Sequence, residues 1–181
     1  MSATTTERVK KVSENPMRKI QLEKVVVHIC IGSNWERLQN AAKLLETLTG
    51  RKPILRRAKR TIKEFGISRG SPISCMVTLR GKEAEDFLKR ALEAVGFKLK
   101  ESNFDKFGNF SFGIREHLDI PGTKYDPKIG IFGMDIIVSL ERPGYRVKRR
   151  KYRRSEIGKK ALITKEEAIQ FVKEKFGVEV I

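Results

Sequence analysis

Acid is what this chain is short of. Lysine and arginine number 39 against 22 aspartates and glutamates, a formal charge of +17. Self-repulsion at that density destabilises a compact state, so a polyanionic partner is the first reading. Cysteine is nearly absent. Cys30 and Cys75 stand singly in apolar runs, without CxxC spacing, and read as buried thiols, not as a metal site or a disulfide. His28 and His117 are the two histidines. Asp105, Asp119, Asp126 and Asp135 are scattered, with none of the clustering that a metal- or carboxylate-dependent nuclease needs. The phosphate-loop, dinucleotide-loop, HExxH and GxSxG patterns are missing. No catalytic residue, metal or cofactor is assigned, and an enzyme is the least favoured class. No apolar run reaches the length of a membrane span, and there is neither a leader nor a lipidation signal. The expectation is a soluble, intracellular protein, with a basic membrane-surface protein as the rival.

What is present is organised around Arg51 to Arg80. This stretch opens with seven cations and no acid: Arg51, Lys52, Arg56, Arg57, Lys59, Arg60 and Lys63. A tip with Gly66, Gly70 and Pro72 follows. Cys75, Val77 and Leu79 then alternate with Met76, Thr78 and Arg80, the period of a half-buried strand. The basic run reads as its antiparallel partner, giving a hairpin with a basic face and a long exposed tip. A polyphosphate is the simplest neutraliser of such a run.

The rest of the chain supplies a core. Thr4 to Val12 allows a short basic helix. Lys24 to Ile31, KVVVHICI, puts Val25, Val27, Ile29 and Ile31 on one face and Lys24, Val26, His28 and Cys30 on the other. That pattern suits a sheet covered on one side. His28 is then either a core histidine or a ligand-facing one. Ser33 with Glu36 reads as a capping box for a helix carrying Leu38, Ala41, Ala42, Leu45 and Leu48, closed by Gly50. Ala84, Phe87, Leu88, Ala91, Leu92 and Val95 make a second helical stripe after Gly81. Phe110, Phe112, Ile114 and Leu118 alternate with Ser111, Gly113, Arg115 and His117, which predicts a strand whose second face is small and polar. Phenylalanines and basic residues interleave here as on base-stacking platforms, but the phenylalanines take the core register. Phe132 to Leu140 is another strand. Arg142 to Lys160 holds ten cations and one acid, Glu156, and reads as a basic arm over 142–160. Thr164 with Glu167 caps a last helix over 164–176. The expected fold is α+β: one domain over 1–181, a mostly antiparallel sheet of about five strands, helices packed on one face, and long basic loops.

The blocks NPMRKIQLEKVVVHICIG, LTGRKP, AKRTIKEFGISRGSPISCMVTLRG, NFDKFGNFSFGIREHLDIPG, YDPKIGIFGMDI and LERPGYRVKRRK, in this order, resemble the family of the fifth protein of the large ribosomal subunit. The last block and TKEEAIQFVKEKFGV are similar to archaeal and eukaryotic versions more than to bacterial ones. Bacterial versions often carry Asn where His28 stands, and His28 still offers a donor and an acceptor. The resemblance implies binding to 5S rRNA in the central protuberance, beside 23S-type rRNA and other proteins there. It also implies contact with the thirteenth small-subunit protein at an intersubunit bridge, and with peptidyl-site tRNA through the loop 65–74. The residues expected at rRNA are Asn15, Lys24, His28, Arg57, Lys59, Thr61, Thr78 and Arg80. Those expected at tRNA are Gly66, Ser68, Arg69, Gly70 and Ser71. The alternative class is a protein–protein adaptor, or a general RNA-binding module outside the ribosome.

Overall fold

A computed structural model describes residues 15–181; the helix expected over 4–12 lies outside the described residues. Period-two burial builds the sheet. Strands β1 (Gln21–Cys30), β2 (Ile54–Arg57), β3 (Pro72–Leu79), β5 (Phe110–Ile114) and β6 (Met134–Glu141) pair antiparallel in the order β2-β3-β1-β6-β5. Val25, Val27 and Ile29 of β1 lie buried beside Cys75, Val77 and Leu79 of β3 and Met134, Ile136, Val138 and Leu140 of β6. The alternate residues are half-buried or exposed, except Ser74 of β3, which is buried. The α+β expectation therefore holds, with the sheet covered on one face.

Three helices cover it: α1 (Trp35–Thr49), α2 (Lys82–Ala94) and α3 (Lys165–Phe176). Leu38, Ala41 and Leu45 of α1, Phe87, Leu88, Ala91 and Leu92 of α2, and Ala168 and Val172 of α3 join one core with the inward strand residues. The first helix is capped one residue later than the sequence predicts. Asn34, not Ser33, is the cap, and its side chain accepts from the Arg37 N–H at 3.0 Å. Asn caps as well as Ser, so Glu36 is left as a first-turn acid favoured by the helix dipole. Gly50 takes the left-handed position that ends α1 (φ 66°).

Two expectations fail locally. β5 stops at Ile114, and a 3-10 turn over His117–Asp119 breaks the alternation. His117 is therefore 1% exposed instead of lying on the open face; its Nδ1 accepts from the Phe132 N–H and its own N–H donates to the Phe132 carbonyl. Leu118 is only half-buried. β6 begins at Met134, two residues after Phe132, although Phe132 is buried. A second, two-stranded parallel sheet joins β4 (Lys98–Leu99) to β7 (Glu179–Val180) and ties the chain's end to the segment after α2. Runs this short carry no periodicity in the sequence.

The basic arm is docked. Arg142 is buried and its Nη2 donates to Glu167 Oε1 at 2.7 Å. Glu167 Oε2 accepts from the Thr164 N–H while Thr164 Oγ1 accepts from the Glu167 N–H, the expected capping box. One carboxylate thus holds both the arm and the start of α3. Tyr145 is buried and its hydroxyl donates to the Ala161 carbonyl at 2.8 Å. Glu167→Ala is expected to destabilise the protein by about 2 kcal/mol, measured by urea unfolding. Breaking a buried pair on one side costs about 3–5 kcal/mol, and the 42% exposure of the Glu167 side chain reduces that.

Candidate nucleic-acid interface

The uncovered sheet face is a regular lattice. His28 lies opposite Met76 on β3 and Asp135 on β6, and Val26 opposite Thr78 and Ile137. Ile137 in turn faces Ser111, and Asp135 faces Gly113. The middle of this face is partly apolar, with Val26, Met76, Ile137 and Thr78; Arg56 Nε lies 2.8 Å from the Met76 sulfur. The His28 ring comes within 3.8 Å of the Asp135 carboxylate and keeps 28% of its side chain exposed. His28 is thus the open-face histidine of the two sequence readings, not the core one. Shallow hollows of about 280 and 290 Å³ lie along the face, the first beside His28 and Cys30, the second between Lys52, Ile54 and Thr78.

Cations sit at the two ends of this face. At one end a bulge between Leu22 and Lys24 inserts Glu23 as an extra residue in β1. Bulges redirect side chains, and Glu23, 11% exposed, meets Arg149 and lies 3.7 Å from both Lys24 and Arg80. Arg149 also pairs with Glu141 at 2.6 Å. Lys24 and Arg80 therefore form, with Arg149, a cluster held on two carboxylates. Sequence spacing gave no sign of that cluster. At the other end β2 runs out at Arg57, opposite Pro72, and Lys59 follows; both are exposed. Between the ends lies the length of β3, eight residues or roughly 25 Å. A ligand that touches both ends must be at least that long.

The hairpin tip is pinned at several levels. Ala58 exchanges backbone hydrogen bonds with Ser71 (2.8 Å) and Gly70 (2.9 Å), and Ile62 with Ile67 (2.8 and 3.0 Å). Thr61 Oγ1 accepts from the Arg69 N–H at 3.0 Å, and the Ser71 hydroxyl donates to the Ser68 carbonyl at 2.6 Å. Thr61 and Ser71 thus shape the tip from within. Gly66 adopts a left-handed conformation (φ 62°) after a 3-10 turn over Lys63–Phe65. This thrusts out Phe65, 68% exposed. Phe65 opens the loop 65–74, but no local pattern in the sequence announces that its ring stands out. Arg51, first of the seven cations, is engaged by α2: its Nε and Nη2 donate to the two Glu83 oxygens at 2.6 and 3.0 Å, and this hydrogen bonding holds the Glu83 carboxyl below the usual carboxylate range.

The structure brings Lys24, His28, Thr78 and Arg80 together on β1 and β3, and places Arg57, Lys59 and Thr61 at the far end of the hairpin. Asn15 stands apart, beside the basic arm, where its Oδ1 accepts from the Met17 N–H at 2.9 Å. Lys98 and Lys100 were missed: the turn after α2 brings them beside Ser111, Asp135 and Ile137 around a groove of about 590 Å³, a purely tertiary juxtaposition. Among the described residues no group of three or more His, Cys, Asp or Glu gathers as a metal site, and no helix is long and apolar enough to cross a membrane.

The two cysteines differ. Burial pushes the Cys75 thiol up to about 11, while Cys30 is exposed at the open-face end of β1. The reading of both as buried thiols is therefore right for Cys75 and wrong for Cys30. Cys30 takes the open-face register at the last residue of β1, next to the buried Ile29. Ellman's reagent is expected to titrate one thiol in the folded protein and a second only on unfolding.

Residues 15–67 match the family described as Ribosomal protein L5, and residues 72–173 match the model for the C-terminus of that same ribosomal family. The two matches meet at the hairpin tip, yet strands from both interleave in one sheet. The chain is 55% identical over 168 residues to large ribosomal subunit protein uL5 of Sulfurisphaera tokodaii, covering 92% of this chain and 95% of that protein. It is 51% identical to the Sulfolobus acidocaldarius protein of the same name (93% and 94% covered) and 52% to that of Methanococcus vannielii (93% and 94%). With both family segments matched in order and archaeal relatives alike over nearly their full length, the chain belongs to the uL5 family of large ribosomal subunit proteins, in its archaeal form.

Proposed function

We propose that this protein anchors 5S rRNA in the central protuberance of the large subunit by laying the open sheet face and the base of the hairpin against it. The observation that carries this reading is the uncovered β-face with cations at both ends, roughly 25 Å apart. A structured polyanion spans that length. The partly apolar middle lets a ribose approach closely, and Arg56, Lys98 and Lys100 beside it add cations for the phosphates. Contacts are to shape and phosphate, because side chains do not enter the deep A-form major groove. Lys24, His28, Arg57, Lys59, Thr78 and Arg80 make them on this face, Asn15 adds one from beside the basic arm, and Thr61 acts through the loop it holds. The tip 65–74 reaches peptidyl-site tRNA through Phe65, Ser68 and Arg69, and the 23S-type rRNA takes the remaining basic surface. The thirteenth small-subunit protein and neighbouring central-protuberance proteins meet the rest. The chain 1–181 acts as one unit.

Titration against 5S rRNA tests the reading. Binding should weaken steeply with salt, the logarithmic slope growing by about −0.7 for each phosphate neutralised on single-stranded RNA. Cys30 reports which face is used: bound 5S rRNA is expected to slow its alkylation at least about tenfold, and to leave Cys75 as unreactive as before. Salt-independent binding, or Cys30 labelled at the same rate in the complex, sinks the proposal.

A further inference from the structure

The cavity between the start of the described chain and the basic arm stands away from the open sheet face. It measures about 380 Å³, within the range of small-ligand sites. Arg18, Arg142 and Lys160 line it, and no carboxylate among the described residues does. Arg142 is fixed there from behind by Glu167, with only 7% of its side chain exposed. Its Nε is buried and has no hydrogen-bond partner among the described residues. A buried donor left unmatched is uncommon in folded proteins and points to an acceptor that arrives from outside. The other walls are apolar: Met17, Pro143 and Ile157. The Asn15 side-chain oxygen, also in the lining, is occupied by the Met17 N–H, and its amide NH2 makes no hydrogen bond to the described residues.

A cationic end, an apolar wall and a spare amide donor match the parts of one nucleotide: phosphate, ring face and base edge. We propose that this cavity receives a single unpaired ribonucleotide, its phosphate on Arg18, Lys160 and Arg142 and its base against Met17, Pro143 and Ile157. The occupant is an extruded nucleotide of the RNA, so the proposal rests on the ribosomal reading and adds a base-reading pocket to a surface that otherwise reads shape. Unpaired, unstacked bases are the part of RNA that proteins read by sequence. The Tyr145 hydroxyl, bonded to the Ala161 carbonyl, holds the far wall in place.

The test uses the full chain, titrated calorimetrically with uridine and adenosine 5′-monophosphates, inorganic phosphate and uridine. A monophosphate is expected to bind at least about tenfold more tightly than inorganic phosphate, and uridine more weakly than its monophosphate. The double variant Arg18→Ala/Lys160→Ala alters exposed side chains, so its melting temperature should stay put. It should lose about tenfold or more of the nucleotide affinity, the usual scale for charge-assisted contacts. Equal affinity for phosphate and nucleotide reduces the cavity to a plain anion site and overturns the proposal; so does nucleotide binding that the double variant leaves unchanged. The two readings separate on 5S rRNA. Salt-dependent rRNA binding without nucleotide discrimination overturns the pocket alone. Nucleotide discrimination without rRNA binding supports the pocket and overturns the ribosomal reading.

Discussion

Arg57→Glu/Lys59→Glu is expected to weaken 5S rRNA binding about a hundredfold at physiological salt and to leave the fold intact. Both side chains are exposed, at the open end of an edge strand, and neither takes part in an ion pair among the described residues. Two charge-assisted contacts at about 1.5 kcal/mol each give about 3 kcal/mol, or two orders of magnitude. The salt slope should become shallower by about 1.4, two phosphates' worth. The control is the tip. Deleting Gly66 to Ser71 would remove the partners of Ala58 and so disturb Lys59 itself. Phe65→Ala/Arg69→Ala spares that clasp and is expected to leave 5S rRNA affinity within about twofold while impairing translation. Equal loss in both doubles would show that base and tip act on one ligand, against the division proposed above.

The contrast with Lys24 and Arg80 shows what was legible in the sequence and what was not. The five strands, the three helices and the inward-facing set of Val25, Val27, Phe110, Ile136 and Leu88 could be read from periodicity, because burial imposes it residue by residue. The capping box at Thr164 and the left-handed Gly50 could be read because they are local chemistry. Glu23 could not. Its place among Lys24, Arg80 and Arg149 depends on a bulge, and on an arm more than a hundred residues later. His117 misled because alternation was extended past Ile114 into a turn. Thr61, expected at rRNA from the sequence, also braces the tip: its hydroxyl accepts a backbone N–H eight residues on, which periodicity could not show. The charge pattern suggested a uniformly basic face. In the fold Lys24, Arg80 and Arg149 gather on carboxylates at one end and Arg57 and Lys59 stand at the other, while Arg56, Lys98 and Lys100 lie along the face between. The interface was therefore legible as composition and as a family resemblance, and only in part as geometry.

Gly108→Ala is expected to cost about 3 kcal/mol of stability. Gly108 ends the loop that returns the chain to β5, at φ +78°. A Cβ there would lie 2.6 Å from Ile163 Cγ2 and 3.4 Å from Ala168 Cβ, so α3 would have to move off the sheet. Two costs combine: about 1–2 kcal/mol for a side chain in the left-handed region and about 1–3 kcal/mol for overpacking. Gly50→Ala separates them. Gly50 has φ +66° and open space around its Cβ position, so it bears the conformational cost alone. For a chain of this size the melting temperature should fall by about 6–12 °C for Gly108→Ala and by about 2–8 °C for Gly50→Ala, at 2–4 °C per kcal/mol. Because β5, α3 and the arm that Glu167 holds share one core, the loss should appear as a single lowered transition. A separate early melting of the C-terminal helix would show instead that α3 is docked on the sheet but not integral to it. Equal shifts in the two variants would mean that Ile163 yields freely and that the tight contact at Gly108 contributes nothing.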